Sequence, residues 1–375
     1  MSKLVRIFVW VLLVSILGIL IPITHARQNE EGPILLVAGV DLNGEGYPVT
    51  RVNLADGSEN TLVTFASRPV CPPSVFQDGT GLIYEMVEAQ PPAPENVYRV
   101  NTQTGVRETL NGIDGLNCPV VSPAGDKIAW VRNNPEIGGG QTLIVTDMQG
   151  TILHEIITHP NIYDVEWSPG GSALIYNVTS DELPFPALYS IPVEADAEPR
   201  AFWSRYLGLA DEYEWIPDGS GVLVAYHTED NAALTVLSTD CVIGLGPACE
   251  AEPIATFSGE DVIDLLGAYS PTVQATVIAV QTEDLNGNLA TDLWVVDLLG
   301  NIPPRQLTET PEIAETDAYW SLDGENIYFI GSQFDMDAGT LSGGIYSIAA
   351  DGSSPAGLRF ASPVFSPGAI LWVYE

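Results

Sequence analysis

The residues best spaced for chemistry are oxygen donors. Asp284, Asn286, Asn288 and Asp292 stand at relative positions 1, 3, 5 and 9 of one acidic stretch. Calcium takes about six to eight oxygens at about 2.3–2.6 Å, and alternate residues of a tight loop can turn theirs inward. The stretch is therefore a candidate calcium site, and calcium the one candidate cofactor. Its glycine falls at position 4 and no glutamate stands at position 12. Asn, Asp and Gly also dominate ordinary turns, so a plain turn is the competing reading. Shorter versions of the pattern begin at Asp41 and Asp335.

Other chemistry is thinner. The chain has no Gly-x-Ser-x-Gly elbow, no His-Glu-x-x-His and no phosphate-cradling glycine loop. His154, Glu155 and His159 approach the zinc motif, but the second histidine comes one residue late and the segment reads as a strand. His227 ends a strand-like run beside Glu229 and Asp230. It is a candidate base or ligand, against the simpler reading of a surface histidine in a turn. Trp203, Arg205 and Tyr206 form an aromatic–arginine group suited to a peptide or sugar contact, against a covered connection between strands. Asp211, Glu212 and Glu214 arise easily by chance in so acidic a chain and carry no glycosidase argument without geometry. No residue is assigned a catalytic role.

The four cysteines are even in number. Cys241 and Cys249 flank a loop containing two glycines and a proline. Cys71 and Cys118 precede equivalent positions of two consecutive repeats. Pairing as Cys241–Cys249 and Cys71–Cys118 is expected. Without a CxxC pair or a suitably spaced histidine, zinc finds no support.

The elements that must position these groups announce themselves by repetition. An aromatic-Ser-Pro-Asp-Gly phrase, with lapses, ends at Gly79, Gly125, Gly171, Gly219, Val273, Gly324 and Ala369. Proline pre-sets φ and glycine accepts positive φ, so each copy reads as a turn between strands. Trp167, Trp215 and Trp320 hold the same place before the turn, which argues for packing rather than three binding sites. A period near fifty with four strand-like runs per unit is the mark of a β-propeller. The expectation is an all-β, seven-bladed propeller of four-stranded antiparallel blades. Six blades is the alternative, because the copy at Val273 lacks its glycine. Closure is expected through a composite blade: two strands from 362–365 and 370–374, and two from 49–54 and 60–65. Residues 34–38 compete with 370–374 for the second place.

The phrase resembles the WD40-like repeat of TolB-type propellers, over roughly residues 32–375. The resemblance implies the fold, which unrelated activities share. TolB carries a further N-terminal α/β domain, and related propellers sit beside peptidase domains; neither arrangement is carried over here.

Residues 1–26 read as an export signal. Lys3 and Arg6 precede an apolar run from Ile7 to Ile23, and Thr24-His25-Ala26 suits cleavage. A membrane anchor formed by residues 7–23 is the alternative. Residues 27–31 then form a short tail and 32–375 a single propeller domain. The location implied is extracytoplasmic, either periplasmic or secreted. The chain has 49 acidic residues against 13 Lys and Arg, a formal charge of −36. Such a field repels nucleic acid and anionic lipid and attracts cations and basic partners. The function expected is binding through the loop face, with an envelope or extracellular protein or peptide as partner. The alternative is an extracytoplasmic metal-dependent hydrolase or lyase with its site at the channel mouth.

Overall fold

The computed structural model describes residues 33–375, apart from 45, 67–70, 72, 88–94, 111–115, 135–139, 160, 181–182, 195, 204–208, 245–248, 259–260, 284–288, 311–312, 336–339, 364 and 375. The leader at 1–26 and the tail at 27–31 lie outside the described residues.

The strands follow in chain order. The first three are β1 (Ile34–Asp41), β2 (Tyr47–Asn53) and β3 (Glu59–Phe65). Next come β4 (Ser74–Val75), β5 (Gly81–Val87), β6 (Glu95–Asn101) and β7 (Arg107–Leu110). A third group is β8 (Leu116–Val121), β9 (Lys127–Asn134), β10 (Gly140–Asp147) and β11 (Ile152–His159). A fourth is β12 (Asn161–Trp167), β13 (Ala173–Ser180), β14 (Leu183–Pro192) and β15 (Arg200–Ala201). A fifth is β16 (Leu209–Trp215), β17 (Gly221–His227), β18 (Asn231–Ser238) and β19 (Pro253–Ser258). Then follow β20 (Val262–Tyr269), β21 (Ala275–Glu283), β22 (Leu289–Asp297) and β23 (Arg305–Gln306). The last are β24 (Ala314–Trp320), β25 (Asn326–Asp335), β26 (Thr340–Ala349), β27 (Gly357–Phe360) and β28 (Phe365–Tyr374).

The repeated phrase builds the hairpin between the first two strands of a unit. Ser168 N donates to Ala173 O at 2.8 Å, and Gly171 N to Ser168 O at 2.7 Å, with Gly171 at φ 67°. The copies ending at Gly79, Gly125, Gly219 and Gly324 repeat this pair of bonds. The copy ending at Val273 closes without glycine: Ser270 N donates to Ala275 O, and Ser270 Oγ accepts from the N–H groups of Thr272 and Val273.

The expected blade count is corrected. The strands form five separate four-stranded blades, neither seven nor six, together with one eight-stranded sheet. In that sheet the order is β20-β21-β22-β24-β25-β26-β27, with β23 also pairing β22. The join is a single parallel pairing of Thr291 with Ala314. Glu315 reinforces it from a fully buried position on β24. Its carboxyl accepts from Leu293 N at 3.1 Å, Thr310 Oγ1 at 2.6 Å and Thr308 Oγ1. Nothing in the turn phrase encodes this tie between consecutive units, so counting phrases overcounts separate sheets.

The closing blade also differs from expectation. Its order is β28-β1-β2-β3, one strand from the C-terminal end and three from the N-terminal end. The last phrase, Phe365-Ser366-Pro367-Gly368-Ala369, runs inside β28 instead of turning. Bulges at Leu36/Val37 and Ala38/Gly39 absorb its irregularity. Gly39 is required there, since a Cβ would stand 2.4 Å from Ser366 O. β28 also reaches the next blade: Tyr374 Oη donates to Gly79 O at 2.7 Å, and Trp372 packs over Gly79.

Apolar residues alternate along the strands and fill the spaces between neighbouring sheets, as in the cluster joining Ile175 and Leu188 to Tyr213, Trp215 and Val224. Both cysteine pairs are joined, Cys71–Cys118 and Cys241–Cys249. In the chain-entropy account, the long loop contributes about 4 kcal/mol and the short one about 2.6 kcal/mol. Replacing Cys71 and Cys118 by serine is therefore expected to lower the unfolding midpoint more than the same change at Cys241 and Cys249. Thermal unfolding of the two double variants gives the ranking, and an equal or reversed order contradicts it.

Candidate functional site

Five innermost strands share one irregularity. Registers slip between Asn117 and Val120, Tyr163 and Glu166, Ala210 and Glu212, Leu265 and Ala268, and Thr316 and Ala318. These are β-bulges, which bend a strand and re-aim its side chains. Cys118, Asp164, Gly267 and Asp317 take positive φ at these places. Across four of the bulges, buried positions stand three apart instead of two: Leu116 and Pro119, Ile162 and Val165, Ala210 and Tyr213, Glu315 and Ala318. The two residues between them, such as Tyr163 and Asp164, leave the core.

Four of these bulges, those of β8, β12, β16 and β20, border a cavity of about 840 Å³. Asp164 and Glu166 of β12 and Glu212 and Glu214 of β16 line one side; Cys71, Cys118, Pro73 and Pro119 line another part of its wall. No Lys, Arg or His is among its described lining residues. Glu212 and Glu214, two apart on β16 beyond its bulge, share a face, while the bulge in β12 brings Asp164 to the same wall as Glu166.

The carboxyls also hold neighbouring inner strands together. Glu166 Oε2 accepts from Trp215 N at 3.0 Å, and Glu212 Oε2 from Leu265 N at 2.5 Å. Tyr213 Oη donates to Asp164 O. Glu214 takes the Gly267 backbone N–H and stands beside Tyr269. Burial raises the Glu166 carboxyl to about 8, helped by the charge of Glu214 and opposed by the Trp215 N–H. Burial raises Glu214 to about 7, with Tyr269 opposing and Glu212 adding to it. Asp317 is pushed up to about 6 by burial, and Asp164 and Asp264 are raised by the same cause. Burial of a carboxyl disfavours its charged form.

Four buried side-chain polar atoms lack a hydrogen-bond partner among the described residues: Asn177 Oδ1, Glu214 Oε1, Trp215 Nε1 and Tyr269 Oη. They fall on β13, β16 and β20, three adjoining parts of the ring. The contrast with equivalent tryptophans is direct. Trp167 Nε1 donates to Val120 O and Trp320 Nε1 to Ala268 O, each at 2.8 Å.

The residues singled out in the sequence lie elsewhere. Trp203 is buried in the core, edge-on to Tyr226 at 5.1 Å, so it presents no exposed ring; Arg205 and Tyr206 lie outside the described residues. His227 is half-buried and its Nε2 donates to Asp261 O at 2.8 Å, tying the end of β17 to the segment before β20. His154 and His159 fall on strand β11, and His159 packs on Tyr176 and Tyr189. Of the calcium group, Asp284, Asn286 and Asn288 lie outside the described residues. Asp292 accepts from Thr310 N and Gln306 Nε2, both at 3.0 Å. Among the described residues, no group of three or more His, Cys, Asp or Glu is placed to hold a metal ion. The acidic cavity was the group that sequence reasoning passed over. Its signal was a slip in alternation: Asp164-Val-Glu166-Trp167 and Glu212-Tyr-Glu214-Trp215 put carboxylates where the inner strand leaves the core.

Comparison with known proteins gives a fold. No protein-family model matches the chain, and no curated protein matches it. Solved structures do. TolB from Acinetobacter baumannii matches with a TM-score of 0.48 at 14% identity, over 91% of this chain and 66% of that one. Oligogalacturonate lyase from Vibrio parahaemolyticus matches at 0.58 and 12%, over 80% and 84%. Puromycin hydrolase matches at 0.60 and 13%, over 89% of this chain and 52% of its own. The chain thus spans about half the length of puromycin hydrolase and 66% of the TolB chain. The likeness to the lyase and the hydrolase holds at the level of the fold, and a fold shared by the two fixes no activity.

Proposed function

We propose that this protein is an extracytoplasmic binding module whose acidic cavity receives a cationic segment of a protein or peptide. The observation that carries the reading is the cavity wall of Asp164, Glu166, Glu212 and Glu214, with no cationic residue among the described lining. The described arginines support it by being engaged elsewhere. Arg51, Arg99 and Arg107 lie over the rings of Tyr374, Phe76 and Tyr98, and Arg132 pairs with Glu155. The cavity carboxyls are thereby left for a cationic partner, and complementary charge speeds and orients encounter. Two disulfides support an oxidising compartment.

The test is binding of a labelled Arg/Lys-rich peptide, beside an Asp/Glu-rich peptide of equal length. The basic peptide is expected to bind, more weakly as salt rises. Asp164→Asn with Glu212→Gln is expected to weaken it about five- to thirtyfold, at roughly 0.5–1 kcal/mol per exposed charge. Equal binding of both peptides, or indifference to the double variant, contradicts the reading.

A further inference from the structure

Apolar side chains stand exposed on one side of the eight-stranded sheet. Ile302, Leu299, Val273 and Leu322 are 66%, 65%, 61% and 58% exposed, more than any other large apolar residue among those described. They fall on adjoining turns, those joining β22 to β23, β20 to β21 and β24 to β25. Leu298 N donates to Gln274 O at 2.9 Å, which sets the turn of Leu299 beside that of Val273. Gly324 packs against Thr272, which sets the turn of Leu322 on the other flank. Asp297 accepts from the N–H groups of Leu299, Asn301 and Ile302 at 3.2, 2.8 and 3.1 Å. Its carboxylate is thus engaged within the turn while both apolar side chains face water.

The fold does not ask for these residues. Val273 takes the place held in other copies of the phrase by Gly79, Gly125, Gly171, Gly219 and Gly324. Leu322 takes the place held by Gln77, Pro123, Pro169, Pro217 and Pro271. Leu299 precedes Gly300, a glycine of positive φ; before the equivalent glycines of other units stand Asp56, Thr104, Gln149 and Asp351. Three departures toward apolar residues therefore meet on neighbouring turns. Single exposed apolar residues are ordinary, but a contiguous group marks an interaction surface.

The border of the patch is acidic. Gln274 Nε2 donates to Asp218 Oδ2 at 3.2 Å, which places that carboxylate beside the Val273 turn. Asp323 and Glu325 follow Leu322, and both are exposed. The nearest cation in sequence, Arg305, donates from Nη2 to Ala350 O at 2.6 Å. A second copy of this chain, at a formal charge of −36, would set the same carboxylates against themselves, and an anionic lipid surface would repel them. Charge complementarity favours a partner whose apolar face is bordered by Lys and Arg.

We propose that this turn face docks an amphipathic basic helix of a partner protein. Its apolar stripe covers Val273, Leu299, Ile302 and Leu322, and its Lys and Arg side chains meet Asp218, Asp323 and Glu325. An apolar centre inside a polar rim is the common build of a protein interface. An amphipathic helix supplies both parts, through apolar residues at i, i+3, i+4 and i+7 with cations beside them. The surface is separate from the acidic cavity, whose described lining includes none of these residues.

The probe is a labelled Leu/Lys amphipathic helix, titrated into the mature chain beside a scramble of equal composition and a Leu/Glu counterpart. The Leu/Lys helix is expected to bind, and the other two at least about tenfold more weakly. Val273→Thr with Leu299→Gln and Leu322→Gln is expected to weaken the Leu/Lys helix at least about tenfold, since apolar area leaves the contact. The unfolding midpoint is expected to stay nearly unchanged, because exposed positions carry little stability. The same triple variant is expected to keep the binding of the Arg/Lys-rich peptide assigned to the cavity. Comparison of the three peptides on the wild-type chain stands whether or not the variant folds. Equal binding of helix and scramble, or a folded triple variant that binds the helix as wild type does, overturns the proposal. A dimer in sedimentation that the triple variant breaks assigns the face to a second copy. Flotation with phosphatidylcholine vesicles that the triple variant abolishes assigns it to lipid. Either outcome overturns the proposal and leaves the cavity reading intact.

Discussion

A chain lacking residues 365–374 is expected to lose cooperative unfolding altogether. β28 carries Phe365, Ile370, Leu371 and Val373, all buried. Each such side chain contributes about 1.5–3 kcal/mol on burial, so their loss costs about 6–12 kcal/mol. A whole domain is stable by only about 5–15 kcal/mol. The deletion also bares the edge of β1, whose pairing groups then face water or another chain. A milder companion is Gly79→Ala, where the new Cβ would meet Trp372 Nε1 at 2.4 Å at a φ of 67°. Thermal and denaturant unfolding, followed by circular dichroism and tryptophan emission, measure both. A truncated chain that melts sharply near the full-length midpoint contradicts the closure by β28.

Stability is expected to fall as pH rises from 5 to 8, against the usual behaviour of carboxylates. The folded values of Glu166 and Glu214 lie at about 8 and about 7, above the ordinary 4.5. Between the unfolded and folded values the folded protein binds more protons, so raising the pH favours unfolding. The contribution is fully present below about pH 4.5 and is lost as the pH passes through about 7 to 8. Turn aspartates such as Asp126 and Asp323 are lowered by hydrogen bonds from Ser122 and Ser321. Their stabilisation is lost only in acid; in the upper window the buried pair is joined by Glu315, raised to about 7, and Asp317, raised to about 6, both chiefly by burial. A loss on the order of 2–4 kcal/mol between pH 5 and pH 8 is expected, at about 1.36 kcal/mol per pKa unit and less than the full shift for a coupled pair. Glu166→Gln with Glu214→Gln should reduce the slope, leaving the part due to Glu315 and Asp317, and raise the midpoint at pH 8. A wild-type midpoint independent of pH across this window, or a slope the double variant retains undiminished, contradicts the assignment.

Much of the architecture was legible because turns are local chemistry. Proline, aspartate and glycine in the phrase dictate the first hairpin of a unit, and alternation beside it dictates the strands. The cysteine pairs were legible for a similar reason, since repeat position alone placed Cys118 near Cys71. What escaped was set by contacts distant in sequence. Glu315 ties β24 to β22 through Leu293, Thr308 and Thr310, and no local pattern distinguishes that buried glutamate from a surface one. The last phrase looks like its siblings, yet pairing with β1 draws it into a continuous strand. Trp203 lies outside the repeat pattern, which left an exposed contact and a covered connection both open; packing with Tyr226 buries it. The acidic cavity was hidden for the opposite reason. In so acidic a chain a few more carboxylates carry little signal, and only the bulges reveal which ones converge.

Those bulges divide each inner strand into two stretches under different constraints. Beyond the bulge, Val165 and Trp167, or Tyr213 and Trp215, are held by the packing between blades. At the bulge, Asp164 and Glu212 line the cavity, and Glu212 also ties β16 to β20 through Leu265 N. Substitution of Asp164 changes the charge of the cavity wall, while the neighbouring packed residues keep the blades together. A single seven-residue strand thus answers to two demands, the packing between blades and the lining of the cavity.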